Sequence, residues 1–173
     1  MGALHKGHIS LINKAKKKSK KILVSIFVNP KQFNTTDDFR KYPRKLKIDI
    51  KILKSIKVNY LYIPTNKDIY LFKPKTKIYL DNFSNMLCGK FRPFHFKGVV
   101  NVVNRFLDIV KPRFLYLGMK DFQQLALIKS HIIKNKIKTR LVACPTIREK
   151  NCVAISSRNL KLNKNHMRNA GKI

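Results

Sequence analysis

The chain opens with Met1-Gly2-Ala3-Leu4-His5-Lys6-Gly7-His8, the stretch that decides how the rest of the sequence folds. Residues 9–15 follow with apolar side chains at helical spacing, which predicts a helix directly after the second histidine. A helix start offers backbone N–H groups and the positive end of a dipole, and imidazoles can donate hydrogen bonds to phosphate oxygens. Gly7 would let a phosphate approach the backbone. The segment therefore predicts a nucleotide phosphate site with His5 and His8 as side-chain donors.

Composition limits the class of protein. The 173 residues are 44% hydrophobic, enough for a domain with a real core and too apolar for a disordered chain. No apolar run approaches the ~20 residues of a membrane span, and no secretory signal opens the chain. Cys88, Cys144 and Cys152 have no metal-ligand spacing, and their odd number argues against a disulfide framework. We expect a cytoplasmic protein with reduced thiols and no membrane partner.

The formal charge of +31 is ordinarily typical of nucleic-acid binding. Here the lysines are spread along the whole chain, with one dense run at residues 14–21. Abundant lysine, isoleucine and asparagine beside 6 glycines and no tryptophan resemble drift toward AT-rich codons. The arginine–aromatic interleaving of single-strand binders is missing. We predict no specific nucleic-acid partner and a general attraction of anionic substrates; a basic nucleic-acid-binding protein is the alternative.

Strand and helix patterns alternate along the chain, which favours an α/β fold with a Rossmann-like parallel sheet and helices on both faces. The predicted strands are 22–28, 58–63, 77–81, 114–117 and 139–143, with an extended segment at 147–155. Besides the first helix, the predicted helices are one that begins at 35–38 and those at 44–55, 98–110 and 122–133. Residues 64–74 are predicted to be a loop.

Three polar motifs follow apolar segments: residues 29–32, 118–121 and 156–158. Ligands of parallel sheets bind beyond the carboxyl ends of the strands, so we expect these motifs to converge with the histidines on one crevice. Lys120 can neutralise charge that builds on a phosphate during a displacement, and the alternative is one more surface lysine. Asp121 is expected to cap the helix that follows it.

The hydroxyls and guanidinium of Ser156-Ser157-Arg158 suit a pyrophosphate, and the alternative is an ordinary turn and helix cap. Gln32 and Gln124 could clamp a hydroxylated acid. With only eight acidic residues, no paired-carboxylate machinery is evident, and no nucleophile–base arrangement stands out. The remaining pattern indicates nucleotidyl transfer by positioning and electrostatics, without a covalent enzyme intermediate.

Taken together, six segments resemble the pantothenate synthetase (pantoate–β-alanine ligase) family of the HxGH nucleotidyltransferase superfamily. They occur in the family's order and span the chain to about residue 162: MGALHKGHISL, SIFVNPKQF, DDFRKYPR, LCGKFRPFHFKGVVNVV, YLGMKDFQQLALI and PTIREKNCVAISSRNLKL. The resemblance implies an ATP-dependent ligase that joins pantoate to β-alanine through a pantoyl adenylate, with Mg²⁺ assisting, in a homodimer.

The resemblance also implies roles for individual residues. Contacts to the ATP phosphates that support catalysis fall on His5, His8, Lys120, Ser156, Ser157 and Arg158. Further ATP contacts fall on Met1, Gly7, Asp121 and, through their backbone, Gly118 and Ile147. Pantoate contacts fall on Asn29, Gln32, Tyr42 and Gln124. Asp49 is expected to lie near Mg²⁺. Arg92 and His95 are expected to lie near the dimer interface and the entrance to the site.

The chain departs from the family pattern at several points. The family has a strand before the Met-Gly motif and a small C-terminal lid domain, so we expect this chain to lack the first strand and most of the lid. Residues 1–147 would be the ATP- and pantoate-binding domain and 148–173 the start of the lid. Phe94 stands where the family has glycine, Met119 replaces an acidic residue, and Lys31 and Ile155 replace methionines. An inactive remnant and another HxGH nucleotidyltransferase are therefore alternatives.

Overall fold

The computed structural model describes residues 2–172. They divide into two compact units. The first unit comprises residues 2–28, Tyr42–Ile63 and 145–172, and the second comprises Asn29–Lys41 and Pro64–Cys144. The domain boundary expected after residue 147 remains a prediction.

The helices and strands alternate as the sequence predicts. In chain order they are α1 (Lys6–Lys16), β1 (Leu23–Ser25), α2 (Thr36–Arg40), α3 (Leu46–Ser55), β2 (Tyr60–Tyr62), α4 (Asn66–Tyr70), α5 (Cys88–Phe91), α6 (His95–Val110), β3 (Phe114–Gly118), α7 (Phe122–Lys134), β4 (Arg140–Cys144) and α8 (Lys164–Ala170). Short 3-10 helices lie at Pro30–Gln32, Asn82–Asn85, Met119–Asp121 and Ser157–Lys161. None of the helices within residues 2–172 is long and apolar enough to cross a membrane.

The first unit holds one parallel pair of strands, β1 and β2, with Val24 opposite Leu61. Helix α1 buries Ile12 and Ala15, and α3 buries Asp49 and Leu53, four residues apart on one helical face. An acidic residue on the buried face of a helix requires partners, because an isolated buried carboxylate is costly.

The second unit holds a second parallel pair, β3 and β4, in register from Phe114 opposite Arg140 to Gly118 opposite Cys144. The α/β class with parallel strands is thus confirmed, and its strands form two separate ladders. Helices α6 and α7 supply the core of this unit, whose buried apolar members are Phe96, Val99, Val100, Leu107, Leu127, Ile128 and Ile132.

A polar network lies beside that apolar core. His131 on α7 and Asn104 on α6 are both fully buried, and their Nε2 and Oδ1 atoms are 3.0 Å apart. The backbone N–H of Tyr79 donates to Nδ1 of His131 at 3.2 Å, and Asn104 donates to the carbonyl of Thr76 at 3.2 Å. This network fixes the segment before the Asn82–Asn85 turn, because buried polar groups require partners.

The network also corrects one prediction. The strand expected at 77–81 is wrong, because the N–H of Tyr79 is bonded to an imidazole instead of a neighbouring strand. The loop predicted at 64–74 contains α4, whose start is a reciprocal capping box between Thr65 and Asp68. The segment predicted to be extended at 147–155 folds back on itself through an antiparallel bridge between Arg148 and Ala154.

Candidate functional site

The two-histidine segment lies at the start of α1, which begins at Lys6, three residues earlier than the start predicted after His8. His5 is the N-cap residue, and its ring stacks on that of His8 with centroids 3.9 Å apart and planes at 29°. The Nδ1 atoms of both rings are buried. A Cβ on Gly7 would lie 3.0 Å from Cε1 and 3.1 Å from Nδ1 of His5, tighter than ordinary contact. Gly7 therefore leaves room for the His5 ring, a role in addition to the expected approach of phosphate.

Asp49 of α3 holds the backbone that leads into His5. Its Oδ2 accepts from the N–H of Ala3 at 2.9 Å and its Oδ1 from the N–H of Leu4 at 2.7 Å. The side chain is 1% exposed, and Ala3 has the positive φ of 48°. Met1, expected near ATP, lies outside the described residues.

The described residues do not form a protein site for the expected metal. Within residues 2–172 there is no group of three or more His, Cys, Asp or Glu side chains that could hold a metal ion. Both oxygens of Asp49, the residue expected near Mg²⁺, already accept backbone hydrogen bonds. The arrangement therefore does not fit a dedicated metal site.

The Ser-Ser-Arg motif and Tyr42 meet in the same unit. The hydroxyls of Tyr42 and the buried Ser157 are 3.0 Å apart, and the guanidinium carbon of Arg158 is 5.8 Å from the centre of the Tyr42 ring. Ser156 is an N-cap and accepts from the N–H of Arg158 at 3.2 Å. The turn-and-cap alternative is thus realised for Ser156, while Arg158 remains exposed. The carbonyl of Ile147 accepts from the N–H of Ile155 at 2.9 Å.

In the second unit, Asn29 is a structural hub. It is 1% exposed, accepts from the N–H of Lys31 at 3.1 Å and from the hydroxyl of Tyr70, and donates to the carbonyl of Gly98 at 3.1 Å. Burial raises the pKa of Tyr70 to about 12, so this hydroxyl keeps its proton and donates. A Cβ on Gly98 would lie 2.7 Å from the carbonyl oxygen of Lys31, which explains the glycine in the first turns of α6.

Gln32 is held through its backbone. Its carbonyl accepts from a terminal guanidinium nitrogen of Arg92 at 2.9 Å and from Nδ1 of His95 at 2.7 Å. Its own side-chain amide has no hydrogen-bond partner among the described residues. Arg92 and His95, expected near the site entrance, therefore fix the segment that presents Gln32.

Lys120 follows β3 as predicted and lies in the 3-10 turn before α7. Its ammonium is 3.0 Å from Oδ1 of Asp121, and 37% of its side chain is exposed. The predicted helix cap by Asp121 is wrong, because this carboxylate pairs with the ammonium and makes no cap hydrogen bond. A Cβ on Gly118 would meet nothing within 4 Å, so the protein itself leaves open space there.

Neighbouring glutamines on α7 differ sharply. Gln123, which the sequence analysis did not single out, is 7% exposed. Its amide donates to the carbonyls of Phe83 and Met86 at 2.7 Å. The amide oxygen accepts from the N–H of Cys88 at 3.1 Å. Gln124 is half-buried, and no residue within the described range hydrogen-bonds to its amide. The signal for Gln123 was its position on the apolar stripe of the helix.

The structure thus gathers the predicted residues in two sets. The first unit holds His5, Gly7, His8, Tyr42, Asp49, Ile147, Ser156, Ser157 and Arg158, and the second holds Asn29, Gln32, Arg92, His95, Gly118, Lys120, Asp121 and Gln124. Their convergence on one crevice remains a prediction.

Comparison with known proteins identifies relatives. A family model described as Pantoate-beta-alanine ligase matches residues 1–173. The pantothenate synthetases of Francisella tularensis subsp. novicida (strain U112) and subsp. tularensis (strain WY96-3418) are each 46% identical over 179 aligned residues, which cover 100% of this chain and 67% of theirs.

Solved structures agree with the sequence matches. A pantoate-beta-alanine ligase from Francisella tularensis, complexed with "Beta-gamma ATP and Beta-alanine", superposes with a TM-score of 0.92 at 46% identity and covers 99% of this chain and 66% of that one. The pantothenate synthetase of Thermus thermophilus superposes with a TM-score of 0.92 at 34% identity, covering 99% and 62%. The chain spans about two thirds of the length of these relatives.

Proposed function

The chain belongs to the pantoate–β-alanine ligase family, and on that premise we propose that it catalyses the ATP-dependent condensation of pantoate with β-alanine. The products are pantothenate, AMP and pyrophosphate, and the intermediate is pantoyl adenylate. The observation that carries the proposal is the stacked His5–His8 pair at the start of α1, in a chain whose whole length matches the family. The Francisella ligase of known structure is a complex with "Beta-gamma ATP and Beta-alanine".

In the first step a carboxylate oxygen of pantoate attacks the α-phosphorus of ATP. The bond from that phosphorus to the oxygen of the β-phosphate breaks, and pyrophosphate leaves. Negative charge builds on the phosphate oxygens, so donors and cations aimed at them stabilise the transition state. We assign this task to the imidazoles of His5 and His8, the ammonium of Lys120, the guanidinium of Arg158 and the hydroxyls of Ser156 and Ser157.

In the second step the neutral amine of β-alanine attacks the acyl carbon of the adenylate. A C–N bond forms, the C–O bond to AMP breaks, and the proton lost by the nitrogen passes to solvent. Adenylation makes this possible because AMP is a far better leaving group than an oxide ion. The site must keep water from the mixed anhydride until the amine arrives.

Pantoate recognition is assigned to side-chain amides that the protein leaves unused. Gln32 and Gln124 have no amide partner within residues 2–172, and each offers both a donor and an acceptor to a hydroxylated acid. Asn29 and Tyr42 have protein partners, so we assign them to shaping the pocket. Asp121 and, through their backbone, Gly118 and Ile147 are assigned to the nucleoside.

Mg²⁺ would accompany ATP and supply positive charge to the phosphates when bound. Because the described residues provide no carboxylate cage, we name no protein ligand for it. The steps above depend on the chain's own cations and hydrogen-bond donors.

We also propose a cytoplasmic homodimer. None of the three cysteines forms a disulfide within residues 2–172, which fits a reducing compartment. The segment 86–91 exposes large apolar side chains: Met86 by 56%, Leu87 by 63% and Phe91 by 75%. Exposed apolar clusters mark contact surfaces. Sedimentation equilibrium of the chain should give a dimer that Phe91→Asp weakens, and a monomer at micromolar concentration would refute the assignment.

The proposed activity is tested by exchange of labelled pyrophosphate into ATP, with pantoate and Mg²⁺ but without β-alanine. Pantoate-dependent exchange is expected, because formation of the adenylate is reversible. Lys120→Ala should reduce the rate by about 10²-fold or more with the fold intact, whereas Lys129→Ala, at an exposed position of α7, should not.

Three results would contradict this assignment. Well-folded protein without exchange would indicate an inactive remnant. Exchange driven by a different acid would indicate another nucleotidyltransferase. An unchanged rate in Lys120→Ala would remove that lysine from the mechanism.

A further inference from the structure

We infer that Asp49 is a positioning residue that fixes the backbone presenting His5 and His8, and that it is not a metal ligand. The inference rests on the proposed function only in naming adenylation as the step affected. It depends on three features of the first unit: the hydrogen bonds of the carboxylate, the conformation of Ala3, and the place of Asp49 on α3.

The first feature is the pair of hydrogen bonds. Two consecutive backbone N–H groups, those of Ala3 and Leu4, donate to separate oxygens of the carboxylate at 2.9 and 2.7 Å. Hydrogen bonds to an ionised acceptor are shorter and stronger than neutral ones. His5 is the next residue along the chain, so the bonds act directly on the backbone that carries its ring.

The second feature is the left-handed conformation of Ala3, with φ at 48°. Consecutive N–H groups converge on one anion when one residue of the pair is left-handed. An alanine does not adopt this conformation by preference, so something must hold it there. The carboxylate of Asp49 does so, and the segment before His5 takes one shape in consequence.

The third feature is the rigid support of Asp49 itself. It lies on the buried face of α3, four residues before the buried Leu53, and is 1% exposed. A carboxylate at this depth needs its hydrogen bonds, because burial without partners is costly. The carboxylate therefore links the packed helix to the histidine segment over 45 and 46 residues of sequence.

A metal role does not suit the same atoms. Mg²⁺ requires an octahedron of oxygens, usually one or two carboxylates with several waters and phosphates. Asp49 is buried, and in the described part of the chain it belongs to no group of three or more His, Cys, Asp or Glu side chains that could hold a metal ion. The structure assigns the carboxylate to the backbone.

The test uses Asp49→Asn, which keeps the size of the side chain but removes its charge and one acceptor. In ¹H–¹⁵N spectra of the ligand-free protein, the Ala3 and Leu4 amide protons should lie downfield, remain in place when Mg²⁺ is added, and move upfield in the variant. In the exchange assay the maximal rate should fall about 10- to 100-fold, because small misplacements of catalytic groups are costly. The Mg²⁺ concentration for half-maximal rate should not change.

The matched control is Asp37→Asn, which removes the same charge from a side chain that is 69% exposed. It should change neither the two amides nor the rate. Ala3→Gly combined with Asp49→Asn should recover part of the lost rate, since glycine adopts the left-handed conformation freely. A metal ligand would not be rescued in this way.

Opposite results would overturn the inference. Unchanged chemical shifts of the Ala3 and Leu4 amide protons in Asp49→Asn would show that the hydrogen bonds do not form. A half-maximal Mg²⁺ concentration that rises, or wild-type Ala3 and Leu4 amides that shift with Mg²⁺ alone, would show a metal ligand. The spectra need no activity, so they test the inference even if the chain proves inactive, and the wild-type titration does not depend on the folding of a variant.

Discussion

At the scale of single residues, two adjacent glutamines use their amides in opposite ways. Gln123 satisfies three backbone groups around the Asn82–Asn85 turn, whereas the amide of Gln124 has no partner within residues 2–172. A side chain whose hydrogen bonds are already used supports the fold. One that is left unused on the same helix is available to a substrate.

Gln123→Ala should therefore lower the free energy of unfolding by about 1–3 kcal/mol, the cost of stranding buried polar partners. Gln124→Ala should leave thermal unfolding unchanged and raise the KM for pantoate in the exchange assay. Calorimetry and pantoate titration of both variants make the comparison. An effect of Gln124→Ala on ATP alone would show that it serves the other substrate.

Phe94 carries backbone strain on the surface. Its φ is 62°, in the left-handed region, and its side chain is 81% exposed, so little packing offsets the strain. The family resemblance places glycine at this position, which the conformation explains. Phe94→Gly should raise the free energy of unfolding by about 1 kcal/mol, measured by urea denaturation.

The control for that variant is Ile133→Gly. Ile133 is 65% exposed but lies within α7, where glycine costs conformational entropy and relieves nothing. A gain in stability from Ile133→Gly as large as that from Phe94→Gly would mean that lost surface apolarity, and not backbone strain, is responsible.

Residue patterns predicted local features better than distant ones. The helix beside the histidines was predicted because its apolar period is local, although it begins at Lys6 and not after His8. The partners of Asp49 lie 45 and 46 residues away, and no periodicity reports such a contact. The position of Asp121 indicated a cap, but a neighbouring ammonium competed for the carboxylate.

At the scale of elements, two helices end in the same way without glycine. After α3, Lys57 has φ of 50°, and the N–H of Val58 donates to the carbonyl of Leu53 at 3.0 Å. After α7, Lys136 has φ of 51°, and the N–H of Ile137 donates to the carbonyl of Ile132 at 3.0 Å. These are Schellman ends, whose left-handed position normally holds glycine.

Lys136→Gly should therefore stabilise the chain by about 1 kcal/mol, because glycine has no Cβ to clash in the left-handed conformation. Lys129→Gly, at an exposed position inside α7, should destabilise it by about 1 kcal/mol. Urea titration of both variants checks the pair. Destabilisation by Lys136→Gly would mean that its side chain contributes more than its backbone costs.

Element prediction failed where polar side chains decided the structure. The period of α6 predicted a start at residue 98, whereas the helix begins at His95, beside the left-handed Phe94. Helix α4 was missed because its capping box is followed by only one turn of helix. The parallel strands were predicted from apolar runs. Such runs are local signals, and they sufficed because the strands themselves are short.

At the scale of the whole molecule, 39 basic residues face 8 acidic ones. Like charges repel one another more in the compact state than in the extended chain. Raising NaCl from 10 to 150 mM shortens the screening length from about 30 to about 8 Å and should stabilise the fold. We expect the Tm to rise by about 2–4 °C.

Scanning calorimetry across that salt range measures the shift. KCl at the same ionic strength should act equally, because screening does not depend on which monovalent cation is present. A Tm that falls or stays constant would show that favourable pairs outweigh the repulsion. Net charge was read directly from the sequence, but its energetic effect depends on how the fold spaces the lysines.

The buried His131 also makes the stability of the second unit depend on protons. Burial lowers the pKa of His131, although Asp108 opposes the shift, and Nδ1 must stay unprotonated to accept from the N–H of Tyr79. The His131 imidazole therefore binds a proton more readily in the unfolded chain than in the folded chain. This contribution to stability is fully present above pH ~6.5 and is lost as the pH falls below it.

Urea denaturation between pH 7.5 and 5 should show this loss, and His131→Asn should flatten it, while His166→Asn, at an exposed position of α8, should not. A profile that His131→Asn leaves unchanged would place the proton uptake elsewhere. The same imidazole anchors the segment before the Asn82–Asn85 turn, so its protonation removes that anchor. We expect mild acid to open this part of the molecule ahead of the rest.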